Sequence, residues 1–254
     1  MSAFGVSTRA RWPWAGSGHG PLPALLVLLT VVTGIVDAVS YIALGHVFVA
    51  NMTGNVVFLG FALAGTSGLS APASLAALGA FLLGALAGGR IAIRCGAHRG
   101  RHLRTATATA LASVLLAVVL AAIFGQPVPR GARYGLIAPL AIAMGIQNAT
   151  ARRLAVPDLT TTVLTLTLTG VAADSRLAGG MGGQPARRLI SVTAMFTGAL
   201  VGALLALNID LVLPLSIAAV VIGASALTAH LLSTEDSDWA HPAGGAASPP
   251  SHAV

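Results

Sequence analysis

The sequence predicts an all-α, polytopic helical membrane protein with six full spans and two broken or re-entrant segments, arranged as two inverted repeats. Three observations predict it. The 254-residue chain is 56% hydrophobic and 8% charged, where a soluble domain carries about a quarter charged residues, and its mean hydropathy is +0.86. Apolar runs longer than the roughly 18 residues that mark a membrane-spanning helix recur along it, whereas a β-barrel would show short alternating segments. Two of the runs are interrupted by polar residues, at like positions in the two halves of the chain.

Residues 1–20 are polar and Gly-rich, with Arg9, Arg11, Trp12 and Trp14. They read as a flexible cytoplasmic tail with an interfacial Trp anchor. A signal peptide cleaved near Ala38 is rejected, because the preceding apolar run is too long and contains Asp37. Apolar segments then follow at 22–44, 46–65, 72–93, 105–125, 134–150, 157–175, 188–207 and 210–232. They make one transmembrane domain, 21–232, with repeat one at 22–125 and repeat two at 134–232. Residues 233–254 are a Ser/Pro/Gly/Ala tail with Glu235, Asp236 and Asp238, expected to be disordered.

Segments 46–65 and 157–175 stand apart from the other six. The first carries Asn51-Met52-Thr53-Gly54-Asn55, where Gly54 permits a backbone break. The second opens with Pro157-Asp158, an expected helix cap, and is rich in Thr. Charge discriminates between the topologies. All fourteen cations are Arg. If all eight segments cross, they divide seven and seven. If the two interrupted segments dip and return, with the N-terminus inside, Arg9, Arg11, Arg90, Arg94, Arg99, Arg101, Arg104, Arg152, Arg153, Arg176, Arg187 and Arg188 lie inside. Only Arg130 and Arg133 remain outside. The positive-inside rule favours the second arrangement and puts both termini in the cytoplasm. The same placement, between and at the ends of apolar runs, argues against nucleic-acid binding.

Gly34-Ile35-Val36-Asp37-Ala38 aligns with Gly145-Ile146-Gln147-Asn148-Ala149 at an offset of 111. Gly84-Ala85-Leu86-Ala87-Gly88 aligns with Gly198-Ala199-Leu200-Val201-Gly202 at 114. Three crossings per half would turn the second copy upside down relative to the first, a plan used by transporters and channels.

Asp37 is the one acidic residue inside an apolar run of the first half. Thr33, Asp37, Ser40, Tyr41 and Leu44 form one polar stripe at helical spacing. A carboxylate in hydrocarbon costs several kcal/mol by order of magnitude, so it must face the bundle or water. Two readings stand side by side: a proton, cation or substrate site, or a structural group held by Asn and Thr partners. The candidate substrate or ion site is Asp37, Asn51, Thr53, Asn55, Gln147 and Asn148, with Gln147 and Asn148 in reach of Asp37. Gly84, Gly88, Gly198 and Gly202 are small-xxx-small pairs for close helix packing, within the chain or across a homo-oligomer interface. Tyr41 and His46 read as interfacial. The lone Cys95 lies among Arg94, His98 and Arg99 and reads as an incidental thiol at a helix end.

No Cys/His cluster has metal-ligand spacing, and no phosphate loop or nucleophile elbow is present. The expected protein is non-enzymatic and without cofactor. Its partners are the lipid bilayer and a small solute or ion.

The motifs Gly34-x-x-Asp37-Ala38-x-Ser40-Tyr41, Phe48-Val49-Ala50-Asn51-Met52-Thr53-Gly54-Asn55 and Gly145-x-Gln147-Asn148-Ala149 resemble the bacterial YoaK-like family over residues 22–230. The resemblance implies an inner-membrane protein of about six spans, without an established substrate. A small-solute or ion transporter or channel is the leading expectation. A non-transporting membrane interaction or assembly partner is the alternative.

Overall fold

A computed structural model describes residues 19–156, 164–175, 178–179, 185–233 and 239–240. The expectations for the N-terminal Trp anchor, the Asp158 cap, Thr160–Thr162 and most of the C-terminal tail fall outside these. The described residues form eight helices: α1 Leu22–Ala43, α2 Met52–Leu63, α3 Ala71–Cys95, α4 Arg99–Phe124, α5 Arg130–Leu154, α6 Leu164–Ala173, α7 Pro185–Asn208 and α8 Val212–Leu232. Five of them, α1, α3, α4, α7 and α8, are long and apolar enough to cross a membrane. α5 matches α3 in length at 25 residues. It is less apolar because it carries Gln147, Asn148 and an arginine pair at each end, and most of its middle is buried among other helices.

Local chemistry sets the boundaries. Ser70 Oγ accepts the Ala73 N–H at 3.3 Å, and Pro72 pre-sets the first turn of α3. His98 Nδ1 accepts the Arg101 N–H at 3.1 Å and so caps α4. Gly96, at φ 60, separates α3 from α4.

Contacts between helix ends sort the bundle into two ends. At one, Arg99 reaches His19 (3.2 Å) and the Leu154 carbonyl (2.6 Å), Arg104 meets His230 (2.9 Å), and Asp174 pairs with Arg188 (2.6 Å). At the other, Gln126 meets the Ala206 carbonyl (3.4 Å), and the last turn of α1, the start of α3 and the first turn of α5 surround one cavity. α1, α4 and α7 therefore run one way and α3, α5 and α8 the other. Among the described residues, every arginine except Arg130 and Arg133 belongs to the first end.

Packing between helices rests on glycine. A Cβ on Gly84 would stand 2.8 Å from the Ile142 carbonyl carbon, and one on Gly145 would stand 2.7 Å from Ala85 N, both across the α3–α5 contact. Across α1–α7, a Cβ on Gly198 would stand 2.8 Å from the Val31 carbonyl carbon, and one on Gly34 would stand 2.6 Å from Ala199 N. Gly88 meets Ile146 and Ala149, and Gly202 meets Ile35 and Ala38. Each α1–α7 contact is its α3–α5 counterpart displaced by the same 111 and 114 residues that align the sequence. All four glycines singled out for packing, together with Gly34 and Gly145, let backbones touch without intervening side chains.

The interrupted segment 46–65 leaves one end of the bundle and returns to it. Gly45 (φ 99) and His46 (φ 59) reverse the chain after α1. Residues 47–51 then run back along α1, and α2 climbs out again until the Gly68 carbonyl meets His46 Nδ1 at 3.2 Å. α2, with 12 residues, is about 18 Å long at 1.5 Å per residue, short of the roughly 30 Å hydrocarbon layer. The reversal lies earlier than expected. Gly54 sits inside α2, where a Cβ would stand 2.6 Å from the Phe48 ring, so its role is close approach of that ring rather than a backbone break.

Candidate functional site

Residues 47–51 carry backbone N–H and C=O groups that no helix satisfies, in a stretch that is buried or half-buried throughout. The polar residues of the motif answer that need. Asp37 Oδ1 accepts the N–H groups of Val49 (2.9 Å) and Ala50 (2.8 Å), and Asp37 Oδ2 accepts the Asn51 side-chain amide. Asn55 makes a reciprocal pair with Phe48: its Oδ1 accepts the Phe48 N–H at 2.9 Å and its Nδ2 donates to the Phe48 carbonyl at 2.6 Å. Asp37 is 3% exposed and Asn55 is fully buried. The carboxylate also lies at the N-terminus of α2, whose cap is Asn51, so the helix dipole favours its charge. Tyr41, Phe48 and Phe58 stack beside this turn, with ring centroids 5.3 Å (Tyr41–Phe48) and 5.6 Å (Phe48–Phe58) apart.

The structure thus brings Asp37, Asn51 and Asn55 together and disperses the other three candidates. Gln147 does not reach Asp37. Its Nε2 donates to the Leu29 carbonyl (3.0 Å) and to Thr33 Oγ1 (2.8 Å), one turn further along α1. Gln147 Oε1 is buried without a hydrogen-bond partner, and the residue borders an apolar-lined cavity of about 10 Å³ with Thr107 and Thr150. Turning the amide over would set Oε1 against the Leu29 carbonyl, so the orientation is fixed by chemistry. Asn148 is half-buried and donates to the Met144 carbonyl of its own helix at 2.9 Å. Thr53 is exposed on α2.

Removing the Asn55 clamp gives a direct check of this arrangement. Asn55→Leu leaves the Phe48 N–H and C=O unpaired, at about 1–3 kcal/mol for each group. The expected result is a lower unfolding midpoint and faster proteolysis between residues 46 and 55. An unchanged midpoint would mean that water satisfies these groups.

Sequence reasoning missed a second concavity. A cavity of about 590 Å³ opens at the end opposite the arginine-rich one, bordered by His46, Ser70, Arg130, Arg133 and Tyr134. The available signal was that Arg130 and Arg133 are the two cations left outside by the Arg count. At the arginine-rich end, burial, followed by the charges of Arg99 and Arg187, holds the His19 pKa below its ordinary value. Cys95 is buried and has no disulfide. Among the described residues, no three His, Cys, Asp or Glu side chains gather as a metal site would require.

Comparison with known proteins agrees with the membrane class. Residues 25–228 match the protein family of unknown function DUF1275. The chain is 35% identical over 150 residues to the UPF0700 transmembrane protein YoaK of Bacillus subtilis (strain 168). That match covers 59% of this chain and 65% of the length of the relative. No solved structure matches. The matched span runs from the first turn of α1 to the last turns of α8 and takes in both interrupted segments. With five helices long and apolar enough to cross a membrane and a relative named a transmembrane protein, the chain is a multi-pass membrane protein that belongs to the DUF1275 family.

Proposed function

We propose that the protein is a small-solute or ion transporter or channel, built from two inverted repeats, 22–125 and 134–232, with its site where the halves meet. The observation that carries the reading is the exchange of packing partners. The first helix of each half packs on the third helix of the other, through glycine contacts that recur at offsets of 111 and 114, and α1 and α5 run in opposite directions. Two halves locked in this crossed manner, with a broken segment ending near a buried carboxylate, are the parts from which alternating access is built. The reading is non-enzymatic. Its site is Asp37, Asn51 and Asn55, with Gln147 one turn further along α1.

The test is transport by purified protein in liposomes, with a pH-sensitive dye inside and a panel of small ions and solutes outside. Wild-type protein moves at least one of them, and Asp37→Asn, which keeps the hydrogen-bonding shape, alters the rate or its proton coupling at least about tenfold. No movement of any solute, together with an Asp37→Asn variant identical to wild type, would sink the reading.

One observation favours the alternative of a non-transporting interaction or assembly partner. Among the described residues, the side-chain hydrogen bonds of Asp37 and Asn55 go to residues 48–52 of the same chain, as structural glue would. That alternative predicts inert liposomes and a partner protein whose co-purification is lost when a lipid-facing glycine such as Gly60 or Gly79 is made leucine.

The arginine-rich end is assigned to the cytoplasm of a bacterial inner membrane by the positive-inside rule. In a Cys95→Ser background, His46→Cys and Ser67→Cys should both react with a membrane-impermeant maleimide added outside intact cells. Arg101→Cys should react only after the cells are opened. Labelling of Ser67→Cys and His46→Cys from different sides would mean that segment 46–65 crosses fully.

A further inference from the structure

The two arginines that break the charge bias sit in one place. Arg130 and Arg133 are three residues apart on the first turn of α5, hence on one face of it, and both border the 590 Å³ cavity. His46, Ser70 and Tyr134 border it too. None of the acidic residues among the described ones, Asp37, Asp174 and Asp210, does so. Asp210 is occupied in accepting the Leu213 N–H at 2.8 Å. Among the described residues no carboxylate pairs with either guanidinium. Arg133 donates through Nε to the Val128 carbonyl (3.4 Å), a bond that steadies the side chain and leaves its other donors available. His46 Nδ1 lies 3.2 Å from the Gly68 carbonyl, so this nitrogen carries the proton and its ring is held at the rim.

The geometry points to a binding site for an anionic group, a carboxylate or phosphate, in this cavity. Two guanidiniums that no described carboxylate compensates, on one concave wall, focus a positive field. Each presents a planar fork that matches the two oxygens of a carboxylate or phosphate. The volume lies within the roughly 300–1,000 Å³ of small-molecule sites, so it admits an anionic group with an organic body attached. The tyrosine hydroxyl at its border adds a neutral donor. Cations at this end run against the distribution that orients the chain, and their shared cavity accounts for them. The inference does not depend on transport, since a receptor or an assembly factor could use the same site. The anion belongs either to a soluble solute or to a lipid headgroup of the facing leaflet.

Binding decides both the site and its source. Full-length protein in phosphatidylcholine nanodiscs is titrated with inorganic phosphate and with acetate, against sodium chloride at equal ionic strength, while the thermal unfolding midpoint is read. Native mass spectrometry in detergent compares retention of phosphatidylglycerol with phosphatidylcholine. The expected result is a saturable rise in midpoint with phosphate or acetate, or preferential retention of phosphatidylglycerol. The first outcome assigns the site to a soluble anion and the second to a headgroup. In either case Arg130→Gln weakens binding at least about tenfold and Arg130→Gln/Arg133→Gln abolishes it. Arg90→Gln, at the other end of the bundle, leaves it unchanged. Arg130 is exposed and its side chain has no hydrogen bond or ion pair among the described residues, so the single variant decides the matter even if the double variant does not fold. Equal responses of wild type and Arg130→Gln to phosphate, acetate and phosphatidylglycerol would overturn the inference.

Discussion

Gly145→Val is expected to prevent the bundle from assembling, with loss of monodisperse protein on purification. A Cβ at Gly145 overlaps the Phe81 carbonyl oxygen and stands 2.7 Å from Ala85 N, while Gly84 opposes Ile142 across the same contact. These neighbours are backbone, so no rotamer change relieves the clash. The helices must separate, and both glycines then lose their contacts together. Overpacking a core costs about 1–3 kcal/mol, occasionally more. Valine adds two further methyls to the clash, so the expected loss is at the top of that range or above it. Against a total stability of about 5–15 kcal/mol, that is a large fraction. Within a membrane the loss is not offset by hydrophobic association, because lipid tails solvate apolar side chains as well as protein does. The controls lie close by: Gly79 and Gly89 have nothing within 4 Å of a built Cβ. Gly79→Ala and Gly89→Ala should therefore be neutral or stabilising by up to about 1 kcal/mol, since alanine is the better helix former. Gly34→Val should match Gly145→Val in size, because it meets Met195 and Ala199 as Gly145 meets Phe81 and Ala85. A tolerated Gly34→Val beside a lethal Gly145→Val would refute the equivalence of the two halves.

Asp37→Leu is the second large effect. It strips the acceptor from the Val49 and Ala50 N–H groups and from the Asn51 amide. Two buried backbone donors and one side-chain donor are left without a partner, at about 1–3 kcal/mol each. The turn over residues 47–51 should detach from α1, and α2 should lose its N-terminal anchor. The measurement is the unfolding midpoint together with hydrogen exchange at Val49 and Ala50, whose protection should vanish. Asp37→Asn behaves differently. Its Oδ1 still accepts both backbone N–H groups, and a half-turn of the Asn51 amide restores the third bond. It should fold with only a modest loss. The pair of variants therefore separates the scaffold role of the side chain from any role of its charge. If Asp37→Leu were as stable as wild type, the turn would owe its position to packing alone.

Much of this protein was legible in its residues. The membrane class followed from composition, because a chain with 8% charged residues cannot cover itself for water. The six long helices followed from the length of the apolar runs, and most ends fell within a few residues of those expected. The return of segment 46–65 to the end it left agrees with the arginine count, which carries topology because translocating cations is costly. The glycine pairs announced close packing, since only glycine lets two helix backbones touch.

Other features depended on what folding brings together. The partner of each glycine was not legible, since Gly84 meets Ile142 and Gly198 meets Val31 across long stretches of chain. The sequence offers Gly54 as a place for a backbone break, whereas the reversal lies at Gly45 and His46, because a glycine inside a helix and a glycine in a turn look alike until the neighbouring Phe48 is seen. Gln147 and Asn148 are adjacent in sequence but lie about 100° apart around α5. One therefore binds α1 while the other bonds its own helix. The cavity around Arg130 and Arg133 gathers residues from three separate stretches, and periodicity along one helix says nothing about the other two. Sequence alone determined that this chain is a polytopic membrane bundle with a carboxylate beside a broken segment. Tertiary structure decided that the carboxylate holds that segment by its backbone. The reason is physical: a polar group in a dry interior must find a partner, and only the packing of the other segments determines which one it finds.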